Sequence, residues 1–193
     1  MKNIIFKLPD LHQHGAAFFE YLALRKAHFV DELDWGVPHD ASYEMEQYDN
    51  PTAYYSLVVR NGRVVAGARA LPTSAAWGEH SYMLGDAKRG KIGGIPADLL
   101  VEDLASPDVW ECTRLVMDAS IATAKERRDC LWLIVDGLIR QATENGASRL
   151  LSLSPVALMR SLRQLGFPTE MLSQPYVGHE DGRRYAVSVS YTH

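Results

Sequence analysis

The run Val109-Trp110-Glu111-Cys112-Thr113-Arg114-Leu115-Val116-Met117 reads as a strand, yet it carries a carboxylate and a guanidinium where a core strand should be apolar. Charges inside an apolar element are retained only where they are paired or used. The chain must therefore fold around a polar cleft set into an apolar body. Other charges point the same way. Arg25 lies one helical turn before Phe29, in a helix whose neighbouring face carries Phe18, Tyr21 and Leu22. Arg69 interrupts the small and apolar stretch from Ala66 to Leu71. Between them runs an acidic segment, Glu44-Met45-Glu46-Gln47-Tyr48-Asp49. A cleft built from such charges suits a zwitterionic or cationic small molecule.

The rest of the pattern supplies the apolar body. Ile4 to Leu8 is expected to be a first strand, and His14 to Val30 a helix. A loop with Trp35, Gly36 and Pro38 follows. Strands are expected near Tyr43 to Glu46, Ala53 to Arg60 and Val64 to Leu71, with Asn61-Gly62 turning the last two into a hairpin. A long irregular connection runs from Thr73 to Asp108, with a short helix near Ala97 to Leu104. Loops of that length in compact domains are often functional. After the strand Val109–Met117 comes a long helix from about Ile121 to Glu144, with Leu131, Ile134 or Val135, Leu138 and Ala142 at helical spacing. Asn145-Gly146 closes it. A strand near Leu150 to Leu153, a helix from Pro155 to Leu165, and strands at Thr169 to Leu172 and Arg184 to Ser190 complete the chain. This order predicts an α/β fold: a single domain over residues 1–193, a three-layer αβα sandwich around one mixed sheet.

Composition narrows the function. Of the 193 residues, 47% are hydrophobic and 23% charged, ordinary for a globular domain with a sizeable core. The net charge of -4 argues against general binding to nucleic acid or to a membrane surface. The N-terminal apolar run is too short for a signal peptide, and no stretch approaches the roughly 18 apolar residues of a membrane span. Cys112 and Cys130 read as core thiols of a reducing compartment, and the expected location is cytoplasmic. The seven histidines show no metal-ligand spacing, so no metal is expected.

The residues alone leave several pairings open. Arg25 can pair with Asp49 or with a substrate carboxylate, and Arg69 with Asp49, Glu46 or a substrate. Glu44 shares the parity of Glu46 but reads as a solvated carboxylate. Glu111 and Arg114 have opposite parity on an ideal strand, and a bulge between them would bring both to the cleft. Glu111 is then the candidate general base, with Arg114 orienting it or a substrate carboxylate. Lys88, Arg89 and Lys91 in the long connection, with Lys125, Arg127 and Arg128 at the start of the long helix, are candidates to meet an anionic partner.

Taken together, Arg25-x3-Phe29-x5-Trp35, Glu44-x-Glu46-x-Tyr48-Asp49, Arg69-x-Leu71-Pro72-Thr73, Tyr82-Met83-Leu84 and Trp110-Glu111-x2-Arg114 resemble the acyl-homoserine-lactone synthases, the LuxI-type autoinducer synthases. Leu158-Met159-x2-Leu162-x3-Gly166-Phe167 is similar to that family as well. Glu46 stands where the family usually carries aspartate, and the segment after Leu84 is longer and more basic than usual. The resemblance implies a fold related to the GNAT N-acetyltransferases. It implies S-adenosylmethionine as a substrate, not a cofactor, and an acyl thioester on acyl carrier protein or coenzyme A as the other. Arg25, Phe29, Trp35, Glu46, Asp49 and Arg69 would then serve the S-adenosylmethionine site, with the indole of Trp35 beside the sulfonium or adenine. Glu111 and Arg114 would be catalytic. Ser152 and Ser154 would lie near the acyl chain, and Arg127 and Arg128 would face the carrier or its phosphopantetheine. The rival readings are a GNAT acetyltransferase using acetyl-CoA and a non-catalytic ligand sensor. Against the first, Ala119 to Arg128 lacks the glycines that cradle pyrophosphate at a helix N-terminus.

Overall fold

The computed structural model describes residues 1–192. Its centre is one eight-stranded mixed sheet. The strands are β1 (Lys2–Lys7), β2 (Tyr54–Arg60), β3 (Arg63–Pro72), β4 (Val109–Met117), β5 (Arg149–Pro155), β6 (Thr169–Met171), β7 (Tyr176–Val177) and β8 (Arg184–Tyr191). They lie in the order β1-β2-β3-β4-β5-β8-β6, with β7 also paired to β8. Every pairing is antiparallel except β4 with β5. Asn61 (φ 52°) and Gly62 (φ 79°) form the tight turn between β2 and β3 that their sequence predicts.

The helices are α1 (Ala17–Arg25), α2 (Met83–Lys88), α3 (Ala124–Glu144) and α4 (Val156–Gln164). Alternation along the strands sends side chains to both faces of the sheet, and each face is covered. Phe18, Tyr21 and Leu22 of α1 join Phe6, Tyr55 and Leu57 in one core. Cys130, Ile134 and Leu138 of α3 join Val58, Ala68, Ala70 and Trp110 in the other. A fully buried Ile or Leu contributes roughly 1.5–3 kcal/mol, so the stripe that α3 buries holds it firmly to the sheet. The result is the expected three-layer sandwich.

Three local expectations need correction, and one short strand is an addition. The first helix does not run unbroken from His14 to Val30: a 3₁₀ segment covers Leu8–His14, and a π-helical turn covers Lys26–Glu32 beyond α1. Gly15, at φ 58°, separates the first two. Tyr43 to Glu46 is no strand, since only Glu44 bridges to His39; the segment bends so that its carboxylates turn inward. The helix of the long connection lies at Met83–Lys88, not at Ala97 to Leu104. A buried carboxylate satisfies the free amides at its start, as described below. The two-residue strand β7 carries too little sequence to leave a period-2 signal.

The sheet opens where the site lies. β4 and β5 pair only over Val109–Glu111 and Arg149–Leu151 and then part. A bulge sharpens the split. Gly67 faces Val116 while Arg69 faces Thr113, which leaves Arg114 and Leu115 opposite Ala68. Arg114 itself takes φ 56°, a left-handed conformation that costs a non-glycine residue about 1–3 kcal/mol. Its carbonyl accepts a hydrogen bond from the Tyr21 hydroxyl at 2.7 Å, which helps to hold it there.

Candidate active site

The split strands, the Phe29–Pro38 loop, α3, β5 and the β7–β8 hairpin enclose a cavity of about 570 Å³. Its lining divides in two. One end holds Phe29, Trp35, Glu46, Thr113 and Arg114; the other holds Leu131, Ile134, Leu138, Leu158, Leu162, Ser152 and Ser154.

Behind the first end, three arginines and three carboxylates alternate in a closed ring. Arg25 Nε is 2.5 Å from Glu44 Oε2, and Glu44 Oε1 is 3.3 Å from Arg114 Nε. Arg114 Nη2 and Arg69 Nη2 each lie 2.6 Å from one oxygen of Glu46. Arg69 Nη1 stands 3.0 Å from Asp49 Oδ1, and Asp49 closes the ring on Arg25 with bonds of 2.7 and 2.9 Å. The least buried members, Arg114 and Glu46, keep 8% and 7% of their side chains exposed. A buried charge without its partner is expensive, and here each has two. Burial raises the carboxyl of Asp49, but the charges of Arg69 and Arg25 more than reverse this and hold it well below the carboxylate range. Burial also raises Glu46, and Arg114 and Arg69 bring it down below its ordinary value. Tyr55 adds a hydroxyl to Asp49 at 2.9 Å, and Thr113 accepts from Arg69 at 3.0 and 3.2 Å.

Aromatic rings frame the ring's open side. Phe29 and Trp35 stack at 4.9 Å, and the Arg114 guanidinium lies 5.4 Å from the Phe29 centroid. The side chains facing the cavity are thus Phe29, Trp35, Glu46 and Arg114, while Arg25, Asp49 and Arg69 brace them from behind.

Glu111 stands outside this ring. It is fully buried, and its oxygens accept hydrogen bonds from the amides of Met83 and Leu84 at 2.7 and 2.8 Å. These amides open α2 and would otherwise be unpaired. Burial raises the Glu111 carboxyl, the two amide bonds and Arg69 oppose it only in part, and the result is a pKa of about 7. The expectation that Arg114 orients Glu111 is not met: Arg114 pairs with Glu44 and Glu46, because its left-handed backbone swings it toward the acidic segment. Glu44 is likewise no solvated carboxylate, being fully buried in the ring.

At the apolar end, Ser152 and Ser154 face the cavity and lie 3.5 Å apart, with Ser188 3.1 Å from Ser152. Cys112 borders the same space, and burial pushes its thiol up to about 12, which leaves it protonated and inert. A second depression, bordered by Lys125, Arg127, Arg128, Met117, Ser161 and Leu165, meets the first at Leu131. Arg127 and Arg128 are exposed there. The bases of the long connection are not available to a partner in the same way. Lys88 donates to the carbonyls of Leu100 and Val101, Arg89 to Asp103, Asp86 and Ser81, and Lys91 to the carbonyl of Glu79. They stitch the loop to itself. Among the described residues, no cluster of three or more His, Cys, Asp or Glu is placed to hold a metal. Among the same residues, no helix is long and apolar enough to cross a membrane.

Sequence reasoning did not single out Tyr55, Thr113 or Tyr21, which hold the ring. The signal available was their place: Tyr55 lies in the hairpin strand beside β3, and Thr113 sits between Glu111 and Arg114.

The mixed sheet, parted between a parallel pair and backed by helices on both faces, is the architecture of the GNAT N-acetyltransferases. Within it, a sequence model of the autoinducer synthases matches residues 11–189, and the chain belongs to that family. An acyl-homoserine-lactone synthase of Acinetobacter nosocomialis is 27% identical over 179 residues, which span 90% of this chain and 91% of the relative. Two solved structures share the fold. TofI, in a ternary complex with an inhibitor and MTA, aligns with a TM-score of 0.76 at 22% identity, over 100% of this chain and 92% of its own. BjaI, described as a CoA-dependent acyl-homoserine lactone synthase with SAM and isopentyl-CoA, aligns with a TM-score of 0.72 at 17% identity, over 98% and 82%.

Proposed function

We propose that this chain, acting as one domain, makes an N-acyl-homoserine lactone from S-adenosylmethionine and an acyl thioester. The observation that carries this reading is the pairing of a closed charge ring with an apolar cavity in one cleft of an autoinducer synthase fold. A zwitterion with an added sulfonium fits the end that presents both signs of charge and an aromatic stack. A fatty chain fits the end lined by Leu131, Ile134, Leu138, Leu158 and Leu162.

In the first step the α-amine loses a proton and attacks the thioester carbonyl. The amide bond forms and the carrier thiol leaves. In the second, a carboxylate oxygen of the same substrate attacks its own γ-carbon. The carbon–sulfur bond breaks, methylthioadenosine leaves as a neutral thioether, and the lactone closes. Glu46 faces the ammonium, Trp35 the sulfonium or adenine, and Arg114 the carboxylate. Arg25, Asp49 and Arg69 fix these groups so that little reorganisation accompanies the reaction. Glu111 is assigned as the base. Its pKa of about 7 is matched to accepting a proton near neutrality, and because it lies behind the cavity wall it does so through a water molecule. Ser152 and Ser154 contact the acyl chain. Arg127 and Arg128 meet the anionic end of the donor, whether acyl carrier protein or coenzyme A. S-adenosylmethionine is consumed, so no separate cofactor is needed. Both substrates are cytoplasmic metabolites, and the reaction is placed there.

Mass spectrometry of lactones extracted from cells expressing the chain tests this reading. N-acyl-homoserine lactones absent from control cells are expected. Their absence, with the protein folded and S-adenosylmethionine present, would overturn it.

A further inference from the structure

One part of the cavity wall has no role in the reaction as described. The β7–β8 hairpin touches Trp35 through Tyr185, and its turn brings two carboxylates, Glu180 and Asp181, into the cavity wall. Glu180 Oε1 accepts from the Gly36 amide at 3.1 Å. Asp181 is turned inward: only 6% of its side chain is exposed, although it sits in a surface turn. Its Oδ2 accepts from the Tyr185 hydroxyl at 2.6 Å and its Oδ1 from the Arg183 amide at 3.0 Å, while Arg183 Nε lies 3.8 Å away. Tyr185 also meets the Trp35 ring edge-on at 6.4 Å. The turn is shaped around this carboxylate. A Cβ on Gly178 would come within 2.9 Å of the Tyr185 ring and 3.2 Å of Asp181 Oδ1. The complementary group is on Trp35. Its Nε1–H is buried and completes no hydrogen bond of normal geometry, yet it lies near enough to Asp181 to help hold that carboxyl down. A buried donor left unpaired costs stability, and a buried carboxylate beside it is the natural acceptor.

We infer that Asp181 is a positioning residue for Trp35, taking up the indole N–H when S-adenosylmethionine is bound and so fixing the indole plane on Phe29. The inference rests on the proposed function, because it takes Trp35 as a wall of the S-adenosylmethionine site. Two contacts from one hairpin, Glu180 to Gly36 and Asp181 to Trp35, would then clasp the N-terminal loop over that substrate.

Asp181→Ala and Asp181→Asn separate this role from a general need for the hairpin, since asparagine still offers an acceptor oxygen. The readouts are calorimetric binding of S-adenosylmethionine and KM for each substrate. Loss of a bond to a buried donor predicts S-adenosylmethionine binding weakened by about five- to tenfold in Asp181→Ala. The acyl-donor KM and kcat should stay within about twofold, and Asp181→Asn should bind close to the unsubstituted chain. Unchanged binding in Asp181→Ala overturns the inference. So does an equal rise of KM for both substrates, which marks a merely structural turn. If the unsubstituted chain itself binds no S-adenosylmethionine, the proposed function fails and the inference with it.

Discussion

The two ends of the cleft are built on opposite principles. At the polar end, six charged side chains close on one another with distances of 2.5 to 3.3 Å, and every member has two partners. At the apolar end, side chains from α3, β5 and α4 meet without a directional bond, and serine hydroxyls supply the polar relief. A closed network has one geometry and fails as a unit, because removing one charge strands its neighbours. An apolar wall changes by degrees with volume. The difference predicts that substitutions at the polar end act steeply and on the nucleophile, while those at the apolar end act gently and on the acyl donor.

The sharpest break is at Asp49. Asp49→Ala leaves Arg25 and Arg69 each short of a buried partner, and stability should fall by about 3–5 kcal/mol. Thermal unfolding checks this, and a loss under 1 kcal/mol would mean that the ring is not a unit. The milder Asp49→Asn should weaken S-adenosylmethionine binding by about 1.5–3 kcal/mol and the acyl donor by less. Equal losses would point to a purely structural carboxylate.

Glu111→Gln comes next. It preserves shape and the α2 contacts on one oxygen but removes the proton acceptor, so turnover should fall by about 10² with binding little changed. The wild-type rate should rise with pH through about 7, where Glu111 ionises, and level above it. Stability moves the other way. A carboxyl whose folded pKa is raised from 4.5 to about 7 stabilises fully below 4.5 and loses that contribution as pH rises through 7. Glu111→Gln should remove this decline. An unchanged pH–stability profile would show that Glu111 is ionised throughout.

Leu158→Phe narrows the apolar end and should lower kcat/KM for long acyl donors by about tenfold relative to short ones, a typical scale for a crowded pocket. S-adenosylmethionine kinetics should not move, and a shift there would erase the division between the two ends. The smallest effect belongs to Arg127→Glu with Arg128→Glu. Both are exposed, so the rise in KM for an acyl-carrier donor should be only about two- to fivefold at low salt, vanishing as screening shortens to about 8 Å. Equal KM at low salt would remove these arginines from carrier recognition.

Much of the fold was legible in sequence where one signal acted alone. Asn61-Gly62 demanded a hairpin, and Leu131, Leu138 and Ala142 demanded a buried helix face. Boundaries were less legible. α3 begins after Thr123, whose side chain and that of Glu126 cap each other, not at Ile121. At the site, the pairings of Arg25 and Arg69 with Asp49, and of Arg69 with Glu46, were among those the residues allowed. The opposed parity of Glu111 and Arg114 allowed a bulge between them, but the bulge falls at Arg114 and Leu115 and brings Arg114 to the cavity while Glu111 stays behind its wall. What sequence hid was position in space. Glu44 looked exposed because nothing in Tyr43 to Glu46 reveals that the segment turns inward. Glu111 looked like a partner of Arg114 because α2, which supplies its real partners, lies 27 residues upstream in an irregular connection.

The central claim is that both ends of the cleft act in one reaction. Purified chain, S-adenosylmethionine and an acyl thioester should release methylthioadenosine and free thiol in equal amounts, with one lactone for each. The account predicts that equality, and predicts no methylthioadenosine when the acyl donor is left out. Free thiol released without methylthioadenosine, as from an ordinary acetyltransferase or a hydrolase, would contradict it.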